Sequence, residues 1–433
     1  MADEPTIHHS PWRTVLSLLA AMVVAALLIL GGRALLMRGS EPTPTPSPQP
    51  TATAATATAT SSSSPSPTPV GPNQQSLLIQ IRDDDGLAQA NALMSSTLDP
   101  QKGSFVTIAP RLLVDVPGGP QTLLEATSAS TNAFASQELL SNMVGVKIDA
   151  TWALDRLALA GLVDSIGGIY LDVRTPVVFR ADDGTVLVQL RPGIQQLDGT
   201  TAAAYVLTRQ RGEPEAARMA RFTEVMRQVL LRLPADASHV ELLLGSLGSL
   251  SRVTIPIDAM SDLLLRLRSA VDTNRVERQE MPVNSVTLGP ALAERLDFVA
   301  AETLMSAEFD ELQLVPSKEV PIRALVVNGT SRVGMGPTAR APLEAAGMVY
   351  LTGGTFPKVG LAISTVTYRE GVAGAASWAY DVAKALRLPL TAMRSSSGPP
   401  NTADVTVVLG ADYRPAAAPS PEPTLSPEPT PKA

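Results

Sequence analysis

From Thr14 to Gly32 the chain reads TVLSLLAAMVVAALLILGG, nineteen residues without a charge. At ~1.5 Å per residue a helix of that length spans roughly 28 Å, close to the hydrocarbon thickness of a bilayer. Arg33 interrupts the run and Ala34 to Met37 is apolar again, which places Arg33 to snorkel at the interface. No small-residue cleavage pattern follows. The expectation is therefore a retained signal anchor over 14–37 behind a short tail, 1–13, rather than a cleaved signal peptide. The flanking arginines, Arg13 before the run and Arg33 and Arg38 after it, would by the positive-inside count alone orient the body inward.

The next segment cannot form a core. Gly39 to Gln75 is built almost wholly of Pro, Thr, Ser and Ala and has almost no large apolar side chain to offset the entropy of ordering. We expect a disordered linker over 38–75, reaching ~110 Å if extended and ~35 Å as a coil. A second Pro-rich stretch, 414–433, is expected to be a disordered tail. Two globular segments remain, 76–318 and 321–413.

Composition removes several chemistries. The chain of 433 residues has no cysteine, so no thiolate nucleophile, disulfide or thiolate metal site exists. Its three histidines, His8, His9 and His239, are too few and too scattered for a histidine metal site or a Ser-His-Asp triad. A net charge of −7 with 4% aromatic residues argues against a nucleic-acid partner, which needs a basic footprint.

In the first globular segment, SLLIQI (76–81) and SFVTIA (104–109) read as buried strands. Trp152, Leu157, Leu159, Leu162 and Val163 recur at helical spacing within 149–166, and GGIYLDV (167–173) reads as Gly-Gly followed by a strand. Pro214 opens a helix whose Met219, Phe222, Val225, Met226 and Val229 form one apolar face. The second segment reads strand (322–327), helix (337–346), strand (348–352), strand (363–368), helix (372–386), strand (404–409). That βαββαβ order predicts a small two-layer α/β sandwich. Its Gly334–Ala339 stretch imitates a dinucleotide fingerprint, but the next strand, MVYLT, carries no acid, so a tight turn into a helix is the reading.

Four arginines, Arg209, Arg211, Arg218 and Arg221, gather in one short span. Arg218 and Arg221 lie three residues apart near a helix N-terminus, where exposed amides and guanidinium groups together attract an anion. The alternative is that Glu213, Glu215 and Glu224 neutralise them as surface ion pairs. Asp83-Asp84-Asp85-Gly86 follows a strand end and is either a solvated turn or part of a metal-phosphate site.

These residues resemble a known family. The 321–413 segment resembles the LytR C-terminal domain through VVNGTSRVGMGPTA, TVTYREG (365–371), ALRLP (385–389) and ADVTVVLGADY (403–413). The preceding segment resembles the LytR-CpsA-Psr family through VDVPGG (114–119), LVDSIGGIYLDV (162–173), LRPGIQQLDGTTAAAYV (190–206), the R-x-x-R of Arg218 and Arg221, and 252–282 as the helical extension after the core. The resemblance implies an α/β/α core that binds a polyprenyl pyrophosphate. Its members transfer a glycopolymer from that carrier to peptidoglycan with Mg²⁺, arginines holding the pyrophosphate and acids the metal. It also implies a bacterial cell membrane protein with a single pass, a cytoplasmic N-terminus and an extracellular body.

On that pattern the pyrophosphate candidates are Arg209, Arg211, Arg218, Arg221 and Arg111, and the metal candidates are Asn91, Asp83 and Asp84. The chain also departs from the pattern. Leu207 replaces an arginine, Asn91 a metal-binding aspartate and Leu112 a second acid. An amide oxygen can ligate Mg²⁺, but without the charge of a carboxylate. The expectation is an envelope protein that binds an anionic lipid of this type, with transferase activity weakened or lost. An active Mg²⁺-dependent transferase is the alternative and an envelope-linked regulator a remote one.

Overall fold

The computed structural model describes residues 72–129, 135–180, 184–210, 212–288 and 291–415. All of these lie in one compact unit, Thr68–Ala433. The expected anchor over 14–37, nearly all of the 38–75 linker, nearly all of the 414–433 tail, and Arg211 lie outside the described residues. Among the described residues no helix is long and apolar enough to cross a membrane.

The centre is a six-stranded mixed sheet. Its strands are β1 (Gln74–Arg82), β2 (Ala88–Thr97), β3 (Lys102–Ile108), β4 (Ala150–Asp155), β5 (Ser251–Val253) and β6 (Val276–Glu280), in the order β5-β4-β1-β2-β3-β6. The β1–β2 and β2–β3 pairs are antiparallel, while β4 runs parallel to β1 and β6 parallel to β3. Strand alternation sends Leu77, Ile79 and Ile81 to one face and Leu78 to the other. Both faces are covered, which is why the β1 sequence reads as a continuous apolar run.

The first face carries the helices that bear the candidate site. These are α2 (Arg156–Ser165), α3 (Gly199–Leu207), α4 (Glu215–Arg232), α5 (Ala237–Ser246) and α6 (Ile257–Asp272); the second face carries α1 (Ala135–Val144) and α7 (Phe298–Glu308). The predicted apolar face of α4 is present: Met219, Phe222, Val225, Met226 and Val229 are all buried in the first core. Pro214 stands at the N-cap, just before the first helical residue. A hairpin of β7 (Val283–Leu288) and β8 (Ala291–Leu296) lies beyond β6.

The C-terminal sheet contains β9 (Arg323–Asn328), β10 (Val349–Thr355), β11 (Thr365–Arg369), β12 (Met393–Ser396) and β13 (Val405–Leu409), ordered β10-β9-β13-β11-β12. It holds α8 (Arg340–Ala345) and α9 (Ala375–Ala385) on one face. The strand-helix-strand-strand-helix-strand reading is extended by β12, an edge strand of MRSS that carries almost no apolar signal. Along β9, Ala324 and Val326 join the domain's own core, whereas Leu325 joins the second core of the central sheet together with Leu351. The C-terminal sheet is thus a third layer, and Leu325 and Leu351 share one apolar interior with Leu78, Leu140 and Met305.

One predicted element differs. Trp152 lies on β4, not on a helix, because Ala150–Asp155 pairs in register with Leu77–Arg82; α2 starts only after Asp155, whose carboxylate is taken by Arg82. β2 begins at Ala88, so Gln89 to Ala92 lies inside the sheet.

Candidate functional site

The site is built where four segments meet. After β3 the chain turns through Pro110 and Arg111 into a short strand, Leu113–Asp115. The Glu125 amide donates to the Pro110 carbonyl at 2.9 Å, and the Glu294 amide on β8 donates to the Arg111 carbonyl at 3.0 Å. Glu294 and Glu125 are therefore fixed by backbone bonds on either side of Arg111. From the helical face come Arg209, just past the end of α3, and Glu215, the first residue of α4.

Arg111, Arg209, Glu215 and Glu294 line one cavity of about 170 Å³, with Pro110, Ser285 and Leu292. Arg111 donates through Nη2 to the Leu292 carbonyl, while among the described residues its buried Nε has no partner, and neither has the buried Glu294 Oε2. Burial raises the Glu294 carboxyl above the usual range, and Glu215 adds to that rise, while Arg111 and Arg209 pull it down. Glu125 is raised in the same way, by burial first, with Asp83 and Glu215 adding and Arg111 and Arg218 opposing. The cavity thus places two guanidinium groups beside one carboxyl, Glu294, that burial makes more basic than a free one.

Arg218 and Arg221 do not share this cavity's lining. Arg218 is 2% exposed; its guanidinium bonds the carbonyls of Gln89 and Val206 and pairs with Glu215. Arg221 donates to the carbonyls of Tyr205 and Thr208, each at 2.7 Å, and pairs with Glu213. It also lies over the rings of Phe179 and Tyr205, at 5.5 and 5.2 Å. Burial lowers the Arg221 pKa to about 10. Both arginines bind α3 to α4, and through Gln89 to β2. Their acidic partners are those weighed in the sequence, but the pairs are interior, not on the surface. Arg209 stays exposed, bonded to the Glu213 carbonyl at 3.1 Å and 3.8 Å from Glu215.

A family model described as the LytR_cpsA_psr family matches residues 68–305. The chain belongs to the LytR-CpsA-Psr family. A second model, described as LytR cell envelope-related transcriptional attenuator, matches 321–413. Among solved structures, that of B. subtilis TagV is 17% identical, covering 57% of this chain and 100% of that one with a TM-score of 0.49. Protein gbs0355 from Streptococcus agalactiae is 19% identical, covering 58% and 92%, with a TM-score of 0.49. TagT bound to LIIa-WTA is 17% identical, covering 55% and 91%, with a TM-score of 0.45. No curated protein sequence matches the chain.

The metal candidates do not fit Mg²⁺. Asn91 is fully buried; its Oδ1 accepts from Gln80 at 2.8 Å and its Nδ2 donates to the Ala88 carbonyl at 3.0 Å. Asp83 closes its own turn, accepting from the amides of Asp85 and Leu87 and from Gln89 Nε2. Asp84 is an exposed partner of Arg156 at 2.9 Å. None of the three leaves free carboxylate oxygens converging on a common point, as a hard octahedral cation needs. Among the described residues, no group of three or more histidine or acidic side chains stands where it could hold a metal ion. Leu207, in place of the family's arginine, packs against the first core.

Glu294 and Glu125 were not singled out in the sequence. Glu294 sits in ALAERL, where only strand alternation is visible, and nothing in that pattern marks the glutamate as facing Arg111.

Proposed function

We propose that this protein binds the anionic headgroup of a polyprenyl-pyrophosphate-linked glycopolymer and takes part in cell wall assembly, with glycopolymer transfer weakened or lost. The observation that carries this reading is the convergence of Arg111 and Arg209 on one cavity, with no partner for the Arg111 Nε among the described residues. A buried donor without a partner is costly, and an anion offsets that cost. Family membership supports the choice of a lipid diphosphate and of a wall glycopolymer or peptidoglycan as partner. It also supports placement at the bacterial cell membrane, through an anchor over 14–37, with the body outside. The loss of transfer is argued from Asn91 and Asp83, whose oxygens are already engaged in the fold, and from Asp84, an exposed carboxylate paired with Arg156. No cofactor is then needed for binding.

The test is binding of undecaprenyl pyrophosphate to the purified chain with and without Mg²⁺, followed by an assay of glycopolymer transfer. The expected result is binding that is indifferent to Mg²⁺, weakened by Arg111→Ala and by Arg209→Ala, without turnover. Mg²⁺-dependent turnover would instead place the chain among active transferases. Binding untouched by both substitutions would remove the cavity from the reading.

A further inference from the structure

Outside that site, a cavity of about 430 Å³ lies between α7 and the C-terminal sheet. Glu302 enters from α7, Tyr368 and Arg369 from β11, Trp378 from α9, and Pro399 and Pro400 from the loop after β12. The lining mixes apolar surface with polar groups that the fold has not used. Among the described residues, neither the Trp378 indole N–H nor the Tyr368 hydroxyl has a hydrogen-bond partner. The Glu302 carboxylate is only 12% exposed, and its ion-pair partner at the cavity, Arg369, stands at 3.8 Å, beyond a hydrogen bond.

The charges at this cavity cancel. Glu302 faces Arg369, and Arg323 is held by Asp404 at 2.6 Å. Arg111 in the other cavity has no ion-pair partner among the described residues, whereas each arginine here is matched by its own acid, so the occupant is neutral. It must present flat apolar faces to Trp378, Tyr368 and the two prolines. It must also offer acceptors for the indole N–H and Arg369, and donors for Glu302. The indole is fixed for this purpose: a Cβ on Gly374 would lie 3.0 Å from the Trp378 ring, and Gly374 has φ +85°, so ring and turn are packed together. Burial raises the Glu302 carboxyl above the usual range, with Arg369 and Arg323 opposing. Sugar rings combine apolar C–H faces with equatorial hydroxyl and acetamido groups, and the volume suits two or three of them.

We propose that the cavity between α7 and the C-terminal sheet is a second binding site, for a short neutral oligosaccharide that stacks on Trp378 and bonds Glu302 and Arg369. This site is separate from the Arg111 cavity and does not depend on the lipid-binding reading. It would let the C-terminal domain hold a glycan strand while the core holds an anion.

The experiment is calorimetric titration of the purified chain, in a detergent without sugar headgroups, with chitotriose as the probe. Saturable binding is expected, and both Glu302→Gln and Trp378→Phe should weaken it roughly tenfold, the value of one hydrogen bond to a charged or buried partner. Thermal unfolding of each variant shows whether it is folded, and either variant alone decides the question. Excess undecaprenyl pyrophosphate should not displace chitotriose. The proposal is overturned if no binding occurs up to roughly 10 mM, if both folded variants bind as the parent does, if the diphosphate competes, or if trialanine binds in place of the sugar.

Discussion

Arg340 Nη2 on α8 lies 2.6 Å from Asp115 Oδ1 in the core, with both side chains nearly buried. The same carboxylate accepts the Thr352 amide at 2.7 Å and the Thr352 hydroxyl at 2.8 Å. Arg340 Nη1 reaches on to the Val116 and Gly119 carbonyls, and Glu344 accepts from the Gly118 amide. The VDVPGG segment, which reads in the sequence as a family signature, is thus the loop by which the core grips the C-terminal domain.

Removing one partner of that pair leaves a buried guanidinium and two Thr352 donors unmatched. Asp115→Ala is therefore expected to cost about 3–5 kcal/mol. Equilibrium denaturation measures it. Asp115→Asn, which keeps an acceptor for Thr352, should cost distinctly less, and equal losses would contradict the assignment.

Arg221 should behave as a structural residue. Its three bonds tie the α3 carboxyl end to α4, and its partner Glu213 is only 10% exposed. Arg221→Ala is expected to lose about 3–5 kcal/mol of stability. Arg221→Lys should not restore it, since an ammonium cannot serve Tyr205, Thr208 and Glu213 in one plane. By contrast, Arg209→Ala should leave the unfolding free energy within about 0.5 kcal/mol of the parent, as for a surface change, and weaken anion binding. A stable Arg221→Ala variant would reverse this division.

How far these roles were legible follows from what each residue leaves in the sequence. The Met219–Val229 stripe of α4, the apolar runs of β1 and β3, and the alternation of strand and helix after Pro321 are periodic, and periodicity reports burial directly. The start of β2 leaves no such mark: Gln89-Ala90-Asn91-Ala92 has no large apolar side chain, and it is strand because β1 and β3 flank it. Trp152 matched a helical spacing by coincidence with α2, and tertiary pairing with β1 overrode it. Arg218 and Arg221 were legible as a cluster but not in direction: helix phase places them beside the apolar face and cannot say whether they meet a ligand or Glu213 and Glu215. The cavity itself needs Arg111 and Glu294 brought together by the Glu294 to Arg111 backbone bond, a long-range contact that no local pattern encodes.

Glu294 gives a pH prediction. Its folded pKa lies above the ordinary value of 4.5, with burial as the chief cause. The folded state then holds the proton more tightly than the unfolded one, so this group's contribution is fully present below the unfolded pKa and is lost as pH rises through the folded pKa. Glu294→Gln should therefore raise the melting temperature at neutral pH and leave it unchanged below that window. Loss of the charge facing Arg111 and Arg209 should also tighten anion binding. Melting curves from acid to neutral pH, with a binding isotherm at neutral pH, test both; a variant less stable at neutral pH would refute the sign.

Gly199 sets the distance between α2 and α3. Asp198 caps α3 by accepting the Thr201 amide at 2.8 Å, and the Gly199 amide donates to Asp164 on α2 at 2.6 Å. A Cβ at Gly199 would stand 1.9 Å from the Ala160 carbonyl oxygen and 2.5 Å from its carbon. These are backbone atoms of a packed helix, so no flexible side chain can yield, and α3 itself must shift. Gly199→Ala should cost about 3 kcal/mol, the upper end for an overpacked interior. Thr200→Ala, one residue on and exposed, should change stability by less than about 0.5 kcal/mol. Because Arg209 stands just past the carboxyl end of α3, a displaced helix also moves that guanidinium away from Arg111. The folded Gly199→Ala protein should then bind a diphosphate less tightly than the parent, although residue 199 touches no part of the cavity. Loss of stability with unchanged binding would show that Arg209 is positioned by the Glu213 carbonyl alone and not by the helix that carries it.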